Sequence, residues 1–277
     1  MEINDKTFED YAKILREATP YNGDITSIKF LTKADKRRRD IIKKYYKEKA
    51  GLDLEAIENS DLSTWEKTYE LAQFVSKLVP HDNQEKWIKR LNAISLHKYV
   101  TAIPTGFNCR WHSIMLSELL LAIGIKNTFI TCLPEDKNDG DCHVVNLVWL
   151  PEKEKWAMID SDMTEYAVDD AGNVLSLFEM RDYIRSGKDF EIKIFPGFED
   201  VWNGFPTGKD FLKCYWAKNL YWFARHTTYG FSLEGKSRIG DAYICLTPPG
   251  YDYKKVRKCI EINNEKEFWD LSYDGEK

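Results

Sequence analysis

The chain has 277 residues with 40 Lys and Arg against 45 Asp and Glu, a formal net charge of −5, and its 43% hydrophobic and 31% charged content is that of an ordinary globular protein. The acidic balance argues against a nucleic-acid binder, and no run approaches the ~18 apolar residues of a membrane span. Six cysteines are too sparse for a disulfide-scaffolded mini-domain in a chain this long, so free thiols are expected. Met1 to Ile14 carries neither a basic nor an apolar stretch. No signal peptide is therefore expected, and the chain reads as cytoplasmic as it stands, or as exported if a leader was trimmed.

The first hundred residues pattern as helices. Phe8, Tyr11, Ile14 and Leu15 recur at helical spacing within Thr7–Ala18, and Ile41, Ile42, Tyr45 and Tyr46 do so within Asp35–Ala50. The basic run Lys36 to Arg39 reads as a solvated helix face rather than a phosphate contact. Ser63-Thr64-Trp65-Glu66 is a capping box opening a helix that runs to about Val79, before Pro80. A weaker box at Asp82–Glu85 predicts a helix from Gln84 to about His97. Residues 1–60 read as a helical N-terminal extension packed on the core, and 61–277 as an α+β domain.

After the turn Pro104-Thr105-Gly106-Phe107 the character changes. Asn108 is a plausible N-cap, Cys109–Ile123 an apolar helix and Gly124 its stop. Thr128–Leu133, His143–Leu150 and Lys155–Asp160 pattern as strands, the first two separated by the polar loop Pro134–Asp141 and the last two by a turn at Pro151. Further on, Leu175–Ser186 is expected to be helical, and Glu191–Phe195, Leu220–Arg225 and Asp241–Leu246 to be strands.

Cys109 falls in the first turn of its helix, where the positive end of the dipole favours a thiolate and free backbone N–H groups can hold an oxyanion. A thiol nucleophile needs a base, and the base needs an orienting group. His143 and Asp160 fit those roles if the two strands pair with Leu147 opposite Trp156 and Trp149 opposite Glu154. That register leaves the connection Leu150–Lys153 and sets His143 directly across from Asp160, about 5 Å between Cβ atoms. A slip of one residue would separate them.

Gly106-Phe107-Asn108-Cys109, the apolar helix ending in Gly124-Ile125, the run His143 to Val148, and Trp156 to Asp160 together resemble the core of the transglutaminase-like superfamily, relatives of papain-type cysteine proteases. The resemblance spans Trp65 to Tyr166. It implies a papain-like α+β fold with an antiparallel sheet, and Cys109 as nucleophile, His143 as general base and acid, and Asp160 as the orienting carboxylate. It further implies a thioester formed on a peptide or side-chain amide of a protein or peptide substrate, with hydrolysis the favoured outcome over amine transfer. The family often continues Asp-Pro-Ser or Asp-Pro-Thr, whereas this chain has Asp160-Ser161-Asp162, which leaves Asp162 as the second choice behind Asp160. Gln73 on the preceding helix is a candidate for the second oxyanion donor.

Other clusters have plainer readings. Cys109 with His112, and Cys142 with His143, could offer zinc ligands, but strand neighbours point to opposite faces and no CxxC occurs, so no metal and no cofactor are expected. His112 reads as a partner-bonded or surface residue. Cys132 and Cys142 flank the polar loop and read as free thiols, or as a bridge between two strands in an exported version, and Cys214, Cys245 and Cys259 read as core. The aromatic residues from Trp202 to Phe231, including Phe205, Phe211, Tyr215, Trp216, Tyr221, Trp222, Phe223 and Tyr229, read first as core. As an exposed platform they would instead suit a catalytically inactive domain that binds a glycan or a protein.

Overall fold

The computed structural model describes residues 6–26, 28, 31–33, 35–83, 88–198, 208–235, 243–252 and 259–270. Helices α1 (Phe8–Glu17), α2 (Lys36–Lys49), α3 (Leu54–Glu58), α4 (Thr64–Leu78), α5 (Ala93–Ala102) and α6 (Cys109–Ala122) come first, with the short strands β1 (Leu31–Lys33) and β2 (Arg90–Leu91) between them. Then follow β3 (Asn127–Leu133), β4 (His143–Leu150), β5 (Lys155–Ile159), β6 (Glu165–Val168), α7 (Leu177–Ser186), β7 (Glu191–Ile194) and α8 (Gly208–Asn219). The chain closes with β8 (Trp222–His226), β9 (Thr228–Gly230), β10 (Glu234–Gly235), β11 (Tyr243–Leu246), β12 (Cys259–Ile262) and α9 (Glu265–Trp269). The fold is α+β.

A six-stranded sheet in the order β12-β11-β8-β3-β4-β5 forms the middle, antiparallel throughout except for the β11–β12 pair. Side chains alternate across it. Ile130, Val145, Leu147 and Met158 enter one buried cluster with residues of α1, α7 and α8. Phe129, Val144, Val148, Ala157 and Ile159 enter another with residues of α2, α4, α5 and α6. Covering both faces explains why β4 reads as a near-continuous apolar run rather than as a half-polar alternation.

Helix α6 is buried all round because it lies inside one of these clusters, with every side chain from Trp111 to Ala122 buried. Its start is fixed by Asn108, whose side chain accepts the N–H of Trp111 at 3.0 Å, and its end by Gly124 in the left-handed region at φ +80°. Arg39 Nε donates to the carbonyl of Ala122 at 3.2 Å, placing a cation at the negative end of the helix. Arg38 and Arg39 also face Glu118 and Glu58 at 3.6 and 2.9 Å. Half of the basic run is therefore internal wiring and not a solvated face.

Two expected boundaries move. The helix expected over 84–97 begins at Ala93, because Asn92 caps it by accepting the N–H of Ser95 at 3.0 Å, and Arg90–Leu91 pairs with β10 instead. Residues 84–87 of that expectation lie outside the described residues, as do Trp202, Phe205 and the first two positions of the strand expected over 241–246. The β4–β5 register is also offset by two positions: Trp149 pairs with Trp156 and Leu147 with Met158. Pro151–Lys153 forms a tight 3-10 turn closed by Glu154 in the left-handed region, so the connection starts one residue later than expected. An even offset keeps every side chain on its face.

The entry to α6 is held by a short pairing with the end of α4. Phe107 N donates to the Pro80 carbonyl at 2.9 Å and Asp82 N to the Phe107 carbonyl at 2.8 Å. A Cβ on Gly106 would stand 2.3 Å from Cβ of Asp82 and 2.8 Å from the Pro80 oxygen. Both obstacles sit on or next to backbone and cannot swing away. Gly106→Ala is therefore expected to destabilise the protein by about 1–3 kcal/mol, read as a midpoint several degrees lower in thermal unfolding.

Candidate active site

Cys109 is the first residue of α6, half-buried, with its sulfur 4.0 Å from the carbonyl of Cys142 and within 4.8 Å of a ring nitrogen of His143. The N–H groups that open the helix have no i−4 partner within it, apart from the one that Asn108 caps. The helix reaches the start of β4 because Ser113 Oγ donates to the Val144 carbonyl at 2.7 Å, and Asn146 Nδ2 to the Ser113 carbonyl at 3.1 Å.

His143 opens β4 and is 1% exposed. Its Nε2 lies 2.5 Å from Oδ2 of Asp160 and, facing a carboxylate, carries the proton of that contact, which leaves Nδ1 for the thiol. Rings of Tyr215 and Trp216 from α8 meet the imidazole edge-on at 5.6 and 5.4 Å between centroids. Burial works to strip the second proton from His143. Asp160 outweighs it, with Cys109 acting in the same direction, and holds the pKa well above the usual imidazole value.

Asp160 is placed by a tight reversal and not by direct opposition. Its backbone exchanges two hydrogen bonds with Glu165, at 2.9 and 3.0 Å. Its Oδ1 accepts the N–H groups of Asp162 and Met163 at 2.8 and 3.0 Å. Continuing the β4–β5 register brings Asp160 level with Val145, so it meets His143 along a diagonal on the same face, which a long imidazole spans. Ser76 on α4 ties the reversal down by donating to the Ser161 carbonyl at 2.7 Å.

Asp162 stands closer to the thiol than its secondary standing in the sequence suggests. Ligand atoms of Cys109, His143 and Asp162 all lie within 4.8 Å of one another. Nδ1 of His81 reaches both Asp162 oxygens, at 2.9 and 3.0 Å, and Nε2 of His112 stands 3.4 Å from Oδ1. Burial opposes ionisation of Asp162, yet the two histidines bring its carboxyl below the ordinary value. Asp162 in turn raises the pKa of His81, whereas burial lowers that of His112. His112 is thus a buried member of this network and not a surface residue. Sequence reasoning passed over His81, which belongs to no motif. Its only signal was its place after Pro80, in the segment that pairs with Gly106-Phe107.

The sulfur opens into a cleft of about 410 Å³ lined by Asn83, Cys109, Arg110, Cys142, Trp222 and Tyr243, among others. Asn83 is among its lining residues, whereas Gln73 on α4 is not. Burial pushes the Cys142 thiol up to about 11. Cys245 and Cys259, expected as separate core thiols, are joined in a disulfide in the wall of the cleft. Parallel pairing of β11 with β12 brings their Cα atoms to 6.2 Å, inside the bonding range. Cys109, Cys132, Cys142 and Cys214 are free. The aromatic residues Phe211, Tyr215, Trp216, Tyr221, Trp222 and Phe223 are buried, as the core reading expects.

No family model matches the chain, and no curated protein matches it. Among solved structures it is similar to a provisionally named cysteine protease from Cytophaga hutchinsonii, at 16% identity and a TM-score of 0.30, over 56% of this chain and 48% of that one. It is also similar to Legionella pneumophila LapG (EGTA-treated), at 11% identity and a TM-score of 0.29, over 56% of this chain and 71% of that one. The match thus spans about half of the first protein's length. Likenesses this weak say nothing of chemistry, which rests on the residues themselves.

One buried pair in the cleft wall yields a stability test. Arg110 donates to Glu234 Oε1 at 2.6 Å and to Thr131 Oγ1 at 3.0 Å, while Tyr243 Oη donates to the same Glu234 oxygen. Burial opposes ionisation of Glu234, but Arg110 and then His226 hold its carboxyl far below the ordinary value of 4.5. The stabilisation is therefore complete above that ordinary value and is lost as pH falls toward the depressed folded value. Glu234→Gln is expected to cost about 3 kcal/mol at pH 7 and progressively less below about pH 4, measured by denaturant unfolding across that range.

Proposed function

We propose that this chain is a cysteine hydrolase of the papain-like, transglutaminase-like kind, acting on peptide or side-chain amide bonds of a protein or peptide. The observation that carries the reading is a helix-initiating thiol within 4.8 Å of a ring nitrogen of a buried imidazole that itself meets a carboxylate, Cys109, His143 and Asp160, with Nε2 and Oδ2 of the last pair 2.5 Å apart. Each member comes from a different element, and no packing requirement calls for a buried imidazole and carboxylate beside a cleft.

In this reading His143 accepts the thiol proton as Sγ of Cys109 attacks the amide carbon. Backbone N–H groups at the start of α6 hold the oxyanion, with the carboxamide of Asn83 at the cleft edge as the second donor. The C–N bond then breaks, and the amine leaves with the proton that His143 took from the thiol, giving a thioester on Cys109. Water attacks the thioester, loses its proton to His143, and releases the acid as the thiol re-forms. Asp160 holds the ring so that Nδ1 faces the sulfur through both halves, and carries no proton itself.

Mass-spectrometric alkylation rates test the nucleophile. Iodoacetamide is expected to modify Cys109 well ahead of Cys132, Cys142 and Cys214, and equal rates would sink the reading. Profiling against a peptide library tests the reaction: cleavage should vanish in Cys109→Ala, and Asp160→Asn should lower kcat by about 10²–10⁴-fold.

A further inference from the structure

Asp162 has no part in the hydrolysis just described. A thiolate at Cys109 and a carboxylate at Asp162, with ligand atoms within 4.8 Å, are like charges that disfavour each other. Asp160 adds a third anion on the far side of His143. Orienting the imidazole needs only one of these carboxylates, and Asp160 is already committed, with Oδ2 to His143 and Oδ1 to two backbone N–H groups.

What the trio Cys109, His143 and Asp162 does offer is one sulfur, one nitrogen and one oxygen within 4.8 Å of one another, the one such group among the described residues. Calcium and magnesium take oxygen-only sets, whereas mixed S, N and O donors suit zinc. Donor atoms around a tetrahedral Zn2+ stand roughly 3.3–3.7 Å apart, so small side-chain rotations close the group. Each orientable ligand also has a second residue behind it, as zinc ligands do: Asp160 behind His143 at 2.5 Å, and His81 behind Asp162 at 2.9 Å. Cys109 lies in the cleft wall, which leaves the fourth coordination position to water.

We propose that Cys109, His143 and Asp162 bind Zn2+ with water as fourth ligand, and that the bound ion silences the thiol reversibly. Zinc takes the thiolate and the neutral imidazole, so binding releases to solvent the proton that Cys109 and His143 share, and occupies both the sulfur lone pair that would attack and the His143 nitrogen that would take its proton. Metal and acyl transfer therefore exclude each other. The silencing rests on the hydrolase reading; the binding does not.

Cobalt(II) added to the full, chelator-free chain reports the site directly. A thiolate-to-cobalt charge-transfer absorption in the near ultraviolet is expected, with the strong visible bands of a four-coordinate ion, discharged by equimolar Zn2+. The absorption should disappear in Cys109→Ala, and Asp162→Asn should weaken Zn2+ binding by about tenfold or more. Zn2+ should also slow alkylation of Cys109 by at least about tenfold, reversed by chelator. No charge-transfer band, a band that survives Cys109→Ala, or unchanged affinity in a folded Asp162→Asn would each overturn the site. Should Asp162→Asn not fold, judged by circular dichroism, the cobalt band and its loss in Cys109→Ala decide. A chain that binds cobalt through Cys109 but cleaves no peptide refutes the hydrolase alone, and one that cleaves but shows no band refutes the zinc site alone.

Discussion

The contact between His143 and Asp160 is the constraint around which this part of the molecule is arranged. Two polar side chains, each 1% exposed, are tolerable only because each satisfies the other and because the backbone around Asp160 closes the remaining demand. To bring them together the chain makes a tight turn at Pro151–Lys153, a second reversal from Asp160 to Glu165, and a tether from α4 through Ser76. Tyr215 and Trp216 then wall the imidazole from the other side. Loosening any of these leaves a buried imidazole facing an unpaired carboxylate, a far larger penalty than the loss of one surface hydrogen bond.

Much of this was legible in the sequence, for physical reasons that differ by residue. Asn108 and Gly124 bracket α6 because cap chemistry is local, and the apolar run between them declares a helix buried on every side. Strands β3, β4 and β5 were legible from β-branched runs. The pairing of His143 with Asp160 survived an incorrect register because the error was even, and face is conserved under an even shift. What stayed hidden was non-local. His81 joins Asp162 only because the end of α4 pairs with the segment before α6, across 81 residues of chain. The bond between Cys245 and Cys259 depends on a parallel pairing with a strand that no local pattern announced. Helix α5 starts late because Leu91 is drawn into a pairing with β10, a tertiary demand that overrode the weaker capping signal at Asp82.

Two carboxylates beside one thiol pull the site in opposite directions. Asp160 acts through the imidazole and raises its proton affinity, which favours an ion pair with the sulfur. Asp162 stands close to the same imidazole and sulfur, and its charge is shared among His81, His112 and His143.

The order of strands in the central sheet carries a consequence for how the molecule comes into being. Cys109, His143, Asp160 and Asp162 all arise within one contiguous stretch, on α6, β4 and the reversal after β5, joined by hairpins of low sequence separation. The opposite wall, with Trp222 and Tyr243, comes from β8 and β11, which dock against the other edge of β3 and are translated later. Local pairings form before distant ones, and a growing chain folds from its N-terminal side. In a chain that folds in the order of its synthesis, the hairpin carrying His143 and Asp160 therefore precedes the strands that bring Trp222 and Tyr243 to the cleft.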